Sequence, residues 1–417
     1  MESKVTQAKT LGNRPLRKYT PAVQVVIIFG LISMLGDMVY EAARGANSQY
    51  LNLLGFSAAK VGLIFGFGEF LGYFLRLIAG VWSDKSSKYW LFLFTGYGML
   101  LVVPLIGLTM NWNILVVLIL MERIGKALRS PAKDTIISTV AENQVGIGFA
   151  FGLQEALDQL GAFSGPLFFA LVFFLTGRNG VLQYQLGYRL LILPFVALML
   201  FLAYAQRRVH RGNLAPIVTP KGFEAESLRP LFWLYTAFTF FCALGLVNFS
   251  IVGYHLKANA LMSDGGITLL YSGAMIIDAV AAVMVGRAYD RIKQTSGRKT
   301  GGLLVLLGIP ALTLMLPLLT LSPSVPLIVL GMAIFGVIIG MHETIMRSAI
   351  ADITPVSKRG TGYGVFNAGY GLALLGGSAL IGWLYDCGWM GTITVFTLVA
   401  EAIALALYYR MSSAVKA

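Results

Sequence analysis

Cysteine and histidine are nearly missing from this chain: its 417 residues hold 2 Cys and 3 His. Cys242 lies within one apolar stretch and Cys387 at the end of another, which suggests neither a disulfide framework nor a metal cluster. His210, His255 and His342 are too scattered to form a metal set. Charge is scarce too, at 12% of residues against 57% hydrophobic, and a soluble domain of this size cannot bury such an apolar fraction. No Gly-x4-Gly-Lys-Ser/Thr loop occurs and the polar segments are too short for a nucleotide-binding domain, so direct ATP coupling is not expected. The first twenty residues are polar and basic, with no small-residue cleavage site after an isolated apolar segment, so no cleavable signal peptide is expected.

What the chain has in quantity is long apolar runs. A span needs about 20 mostly apolar residues, and twelve such stretches are found. In the first half they cover Val23–Tyr40, Val61–Trp82, Tyr89–Met110, Ile114–Ser130, Gly146–Leu175 and Leu190–Tyr204. The second half supplies Leu231–Tyr254, Ile267–Val285, Leu303–Leu321, Leu327–Ile345, Tyr363–Leu384 and Met390–Tyr408. They are too long for the strands of a membrane barrel and lack its period-two alternation, which leaves helices as the way to satisfy the backbone in lipid. The expected organisation is an all-α polytopic membrane protein with an N-terminal tail (1–21), a six-helix bundle (22–206), a basic linker (207–229), a second six-helix bundle (230–410) and a short tail (411–417).

Basic residues concentrate on one set of connections. Lys4, Lys9, Arg14, Arg17 and Lys18 precede the first span, and Arg207, Arg208, Arg211, Lys221 and Arg229 separate the sixth from the seventh, while the other loops hold little beyond Arg178 and Lys257. Both termini are therefore expected to be cytoplasmic. The formal net charge of +13 is accounted for by this asymmetry and implies no nucleic-acid partner.

The sequence also repeats itself. Arg129-Ser130-Pro131-Ala132-Lys133-Asp134 returns as Arg347-Ser348-Ala349-Ile350-Ala351-Asp352, and Gly80-Val81-Trp82-Ser83-Asp84-Lys85 returns as Gly286-Arg287-Ala288-Tyr289-Asp290-Arg291. Both copies of each sit at the ends of apolar stretches in corresponding places, as in a duplicated membrane bundle. The segments Gly80…Asp84 and Gly286…Asp290-Arg291 resemble the Gly-x-x-x-Asp-Arg-x-Gly-Arg-Arg signature of the major facilitator superfamily, in the two loops where that superfamily carries it. The resemblance covers essentially the whole chain and implies two six-helix halves rocking about a central site. It leans toward the bacterial proton-coupled efflux members, because Gly152, Gly161 and Gly165-Pro166 are similar to the antiporter signature, although Phe169 and Ala170 replace its trailing glycines. Close helix packing is the plain alternative for those glycines. Arg123, within Glu122-Arg123-Ile124-Gly125-Lys126, matches the superfamily's arginine in the fourth span.

An ionisable side chain at membrane depth is a functional candidate by default. Asp37 and Glu41 lie on one face of the first span with Arg44 three residues beyond, and Glu155 and Asp158 form a second pair. These four acids, with Asp278 and Glu343, are the candidate proton carriers, and Arg44, Arg123 and Lys126 their basic partners. Glu69 and Glu401 are further acids within spans, Glu401 expected to have a packing or pairing role. Tyr40, Tyr254, Tyr271 and Trp233 are aromatic candidates for a site. The repeated cassettes, through Gly80, Asp84, Arg129, Asp134, Gly286, Asp290, Arg291, Arg347 and Asp352, are expected to gate the cytoplasmic mouth, with the aspartates favourably placed at helix N-termini.

The expected function is secondary transport by alternating access, with export of a small organic solute against protons. A proton-coupled importer and a non-transporting sensor or scaffold are the alternatives. No catalytic residue, metal or cofactor is expected beyond the proton gradient. The expected setting is the bacterial inner membrane, with a monomer as the working unit and a small solute and the bilayer as partners.

Overall fold

The computed structural model describes residues 21–142, 147–211, 230–296, 301–353 and 359–416. Those residues form twelve long helical stretches: α1 (Pro21–Leu53), α2 (Ala58–Ser86), α3 (Tyr89–Ile106), α4 (Trp112–Glu142), α5 (Ile147–Thr176), α6 (Val181–Arg211), α7 (Pro230–Ala258), α8 (Asp264–Ser296), α9 (Leu303–Thr320), α10 (Val325–Ile353), α11 (Arg359–Asp386) and α12 (Met390–Lys416). Eleven of the described helices are both long and apolar enough to cross a bilayer. The other is α4, which carries Glu122, Arg123, Lys126 and Arg129 in its middle. With 31 residues it still reaches about 46 Å at 1.5 Å per residue, more than a hydrocarbon core requires.

Several boundaries differ from those expected. The fourth span does not stop at Ser130: α4 continues through the Arg129–Asp134 cassette to Glu142. Charge ends an apolar run in sequence, but it does not end a helix whose polar side chains face other helices. Asp134 is therefore inside a helix, not at an N-terminus. Likewise α6 runs into the expected linker as far as Arg211, and α12 takes in most of the expected tail.

Two hydrophobic cores form, one from residues of α1–α6 joined by Tyr254 of α7 and one from residues of α7–α12, with Tyr385 packed against both. The outer surface is itself apolar, with Leu63, Ile78, Leu108, Leu175, Leu200 and Met284 exposed, as a lipid-facing surface should be. At the face opposite the described ends of α1 and α12 the connections are tight. Gly55 and Gly388 turn the chain there with φ of +81° and +73°, a left-handed backbone that only glycine adopts without strain.

Small residues let the helices meet backbone to backbone. A Cβ at Gly161 or Gly165 of α5 would run into the Met34 or Met38 carbonyl oxygen of α1, and Pro166 packs over Gly45. The glycine motif thus draws the helix of Asp37 and Glu41 against the helix of Glu155 and Asp158. Across the halves, Gly62 of α2 meets Ser378 of α11, and Gly382 of α11 meets Ala58 of α2. The chain breaks within α7, which is two segments, Pro230–Leu244 and Phe249–Ala258, the second capped by Asn248, which accepts from the Ile251 N–H. Thr397 of α12 donates to the freed Gly245 carbonyl at 2.9 Å, and the fully buried Glu401 lies beside the same break. A packing position is what the sequence suggested for Glu401.

Because the Gly161 contact is with backbone, which cannot swing aside, Gly161→Val should lower stability by about 1–3 kcal/mol. Thermal unfolding of the detergent-solubilised protein measures it, and Ala162→Val, one residue along, is the control.

Candidate functional site

A cavity of about 640 Å³ lies between the two halves. Asp37, Glu41 and Arg44 of α1, Lys126, Arg129 and Lys133 of α4, Glu155 and Asp158 of α5, Asp278 of α8 and Glu343 of α10 all line it. All six carboxylates singled out in the sequence therefore face one space. A second cavity of about 150 Å³ adjoins it, sharing Glu41, Arg44, Lys126 and Glu343 and adding Tyr40, Glu69, Arg123, Asn248, His342 and Tyr370. The larger cavity extends from the middle of α1 toward the face where α1 begins, reaching Asp134 on α4 and Thr344 on α10.

Between the cavities runs a chain of buried charges. Arg123, 4% exposed, pairs with Glu69 of α2 at 3.0 Å and with its neighbour Glu122 at 3.4 Å, and it also donates to the Tyr40 hydroxyl. Arg44 bridges Glu69 and Glu41, both at 3.5 Å. Glu41 then accepts from the Tyr271 hydroxyl of α8 at 2.8 Å, which carries the chain from one half to the other. Lys126 stands 3.7 Å from the centre of the Tyr40 ring, a cation–π contact.

The second acidic pair has a different partner from those considered in the sequence. Asp158 pairs with Lys133 at 3.6 Å, neither with Arg123 nor with Lys126, and Lys133 also donates to Ser33 of α1 at 2.6 Å. Glu155 accepts from Gln159 one turn on, at 3.2 Å. Lys133, Arg76, Ser33 and Tyr97 line the large cavity and were not singled out. The signal for Lys133 was present, since positions 126, 129 and 133 follow helical spacing on one face. Of the aromatic candidates, Tyr40 and Tyr271 line the cavities, whereas Trp233 is 53% exposed on the outside and Tyr254 lines neither cavity.

The cassettes divide. Arg129 is buried and lines the cavity beside the Tyr97 ring at 5.1 Å, deeper than a residue of the mouth. Asp134 is exposed at the cavity's wide end, and Gly80 packs toward Pro131 of the first cassette. Gly286 of α8 approaches Thr344 of α10, and Arg291 is exposed. Gly152 belongs to α5, and the side chains of Asp84, Asp290, Arg347 and Asp352 lie outside the described residues.

The opposite face is closed by a contact that the sequence did not suggest. Both carboxylate oxygens of Asp386, the last residue of α11, accept backbone N–H groups of Ala58 and Ala59 at 2.8 Å. A residue of the second half thus caps a helix of the first, where the macrodipole favours an anion.

A family model matches this arrangement twice, over residues 26–261 and 249–416, once for each half. The chain belongs to the Major Facilitator Superfamily. It is thus a membrane transporter by family and by fold. It is 35% identical over 394 residues to an uncharacterized protein of Mycobacterium tuberculosis, with 93% of each chain covered. An uncharacterized MFS-type transporter of Methanocaldococcus jannaschii is 26% identical over 375 residues, covering 86% of this chain and 88% of that one. Among solved structures, a mutant form of the nucleoside transporter NupG is similar at a TM-score of 0.71 and 12% identity, over 93% of this chain and 99% of that chain. A bacterial homolog to the human lysosomal transporter Spinster, inward-facing and unoccupied, is similar at 0.70 and 16% identity, over 96% and 98%. At these identities the structures attest to the superfamily's fold alone.

Two outcomes follow from the geometry. Removing one member of a buried pair strands the other, so Glu69→Leu should cost about 3 kcal/mol, the low end of the usual range because Glu122 still faces Arg123. Thermal unfolding checks this, and adding Arg123→Leu should recover part of the loss. Asp386→Ala removes the cap that joins the halves, so a cysteine placed at the buried Ser48 should become more reactive to a water-soluble maleimide.

Proposed function

We propose that this superfamily member is a proton-coupled secondary transporter of the bacterial inner membrane, moving a small organic solute outward by alternating access. The observation that carries the reading is the composition of the cavity wall: seven carboxylates face the large cavity against five Lys and Arg side chains. The excess is contributed by the second half, which presents Asp278 and Glu343 there and no Lys or Arg among the described residues. Glu41 and Asp278 are the buried members of that set, and a buried carboxylate short of cation partners draws a proton or a cation from solution, because desolvation penalises unpaired charge.

Asp37 and Glu41 are the leading proton carriers. They face the cavity from α1, and Glu41 is bonded to both Arg44 and Tyr271, so a proton arriving there competes with contacts that tie the halves together. With the termini cytoplasmic, the cavity extends toward the cytoplasm while the Asp386 cap closes the far side. That is an inward-facing arrangement, the state of the similar Spinster homolog. Outward movement rests on the resemblance of the α5 glycine motif to the antiporter signature, while the packing of Gly161 and Gly165 on the backbone of α1 fits either direction. The remaining cassette residues near the mouth, Asp84, Asp134, Asp290, Arg291, Arg347 and Asp352, are assigned to closing it when the site faces outward. No cofactor is assigned beyond the gradient, and a monomer is assigned as the working unit because the large cavity lies between the halves of a single chain.

Flux in liposomes under an imposed pH gradient tests the reading. The purified protein should drive solute against its gradient when protons run the other way, and solute and protons moving together would instead establish import. Asp37→Asn and Glu41→Gln should each abolish gradient-driven accumulation, by at least tenfold, while leaving downhill exchange. Accumulation equal to the parent's in both variants would remove these residues from the proton path.

A further inference from the structure

Two charged side chains on facing walls of the large cavity are almost fully buried and lack partners they need. Arg129 of α4 is 4% exposed, and its Nη1 has no hydrogen-bond acceptor. Asp278 of α8 is 3% exposed, and its Oδ1 has no donor. The Asp278 carboxylate packs close to α10, since a Cβ at Gly340 would come within 3.0 Å of that oxygen and 2.7 Å of the Asp278 carbonyl. What it meets there is a glycine that offers no side-chain donor.

The surroundings of the two groups differ. Around Arg129, Lys133 is committed to Asp158 and Ser33, while Arg129 and Lys126 share the carboxylates of Asp37 and Glu122. Around Asp278, the charged neighbours are Glu343, Glu41, Glu155 and Arg44, and Arg44 is already engaged by Glu41 and Glu69. Arg129 thus stands among charges of both signs, whereas Asp278 stands mainly among carboxylates. The two groups also differ in depth. Arg129 shares electrostatic range with Asp37 and Asp278 with Glu41, one helical turn further from the end where α1 begins.

We propose that the cavity binds a zwitterionic organic solute, with its anionic group on Arg129 and Lys126 and its ammonium on Asp278. This rests on the transport reading above and adds the cargo's chemical class. A solute with only one charge would satisfy one orphan group and leave the other buried and bare. A zwitterion pairs both, and because one anchor belongs to each half it also ties the halves together, which favours closure around the cargo.

A charge-matched panel tests the assignment. Phenylalanine and the dipeptide alanyl-phenylalanine are each presented to the purified full-length protein as the zwitterion, the methyl ester, which is cationic, and the N-acetyl form, which is anionic. Binding is read from the rise in unfolding temperature with ligand concentration. At least one zwitterion should bind tenfold or more tightly than both of its blocked forms. Arg129→Gln should erase the preference over the ester, and Asp278→Asn the preference over the N-acetyl form. Arg129→Lys, which keeps the charge, should retain discrimination, and each variant is taken forward only with a monodisperse elution profile.

Equal binding of blocked and unblocked forms would overturn the proposal, as would variants that weaken all three forms alike. A panel in which no zwitterion binds, run on protein that moves some other solute in liposomes, overturns it as well and leaves transport standing. Protein that moves no solute at all sinks the transport reading itself.

Discussion

A charge held at bilayer depth has to be neutralised or bonded, and the interior of this protein is organised around that requirement. Taking a single ion out of water costs several kcal/mol, so no helix here could carry Arg123 or Glu122 alone. The solution is a relay in which each charge answers the next: Glu122 and Glu69 around Arg123, Glu69 and Glu41 around Arg44, and Tyr271 on Glu41. It joins α4, α2 and α1 into one unit and then reaches across to α8. The last link differs in kind. Within the first half the links are ion pairs, whereas the step between halves is one hydroxyl hydrogen bond, which can be exchanged for water at little net cost.

The packing combines contacts of both kinds, and the tight ones occur between the halves as well as within them. Within a half, α5 lies against α1 through glycines whose neighbours are backbone atoms, a contact that leaves no room for adjustment. Between halves, α2 and α11 also meet through small residues, but at the far end the join is the Asp386 carboxylate on two backbone N–H groups. Those N–H groups are orphans of a helix start that water would satisfy equally well once exposed. Separating the halves at that end exchanges these hydrogen bonds with solvent, whereas the glycine contacts of α2 with α11 are backbone packing as tight as that of α5 on α1.

How much of this could be read beforehand depends on whether an interaction is local in sequence. The twelve spans follow from apolar runs, and the Glu41–Arg44 contact follows from helical spacing. Arg123 needed an acid on a neighbouring helix, and Glu69 was on the page as an intramembrane acid, but nothing in the chain says which acid faces it. Lys133 went to Asp158 for the same reason, since helix rotation decides the match. The end of α4 was misplaced because a cluster of charge looks like a membrane boundary when its partners on other helices are unseen. Asp386 was invisible altogether, because its partner is backbone, which has no sequence signature.

The two halves repeat in architecture but not in charge. Over the large cavity the first half presents five cations and five carboxylates, and the second presents Asp278 and Glu343 with no cation among the described residues. A symmetric pair of walls would leave nothing for a transported ion to do, because each half would neutralise itself. An uneven pair leaves the net negative charge on the second wall, and Asp278 is the buried part of it. Under the readings proposed above, a proton and a cargo ammonium are alternative occupants of that carboxylate, because either neutralises it. Duplication supplied two similar halves, and the loss of charge symmetry between them is the feature on which the proposed exchange of proton and solute rests.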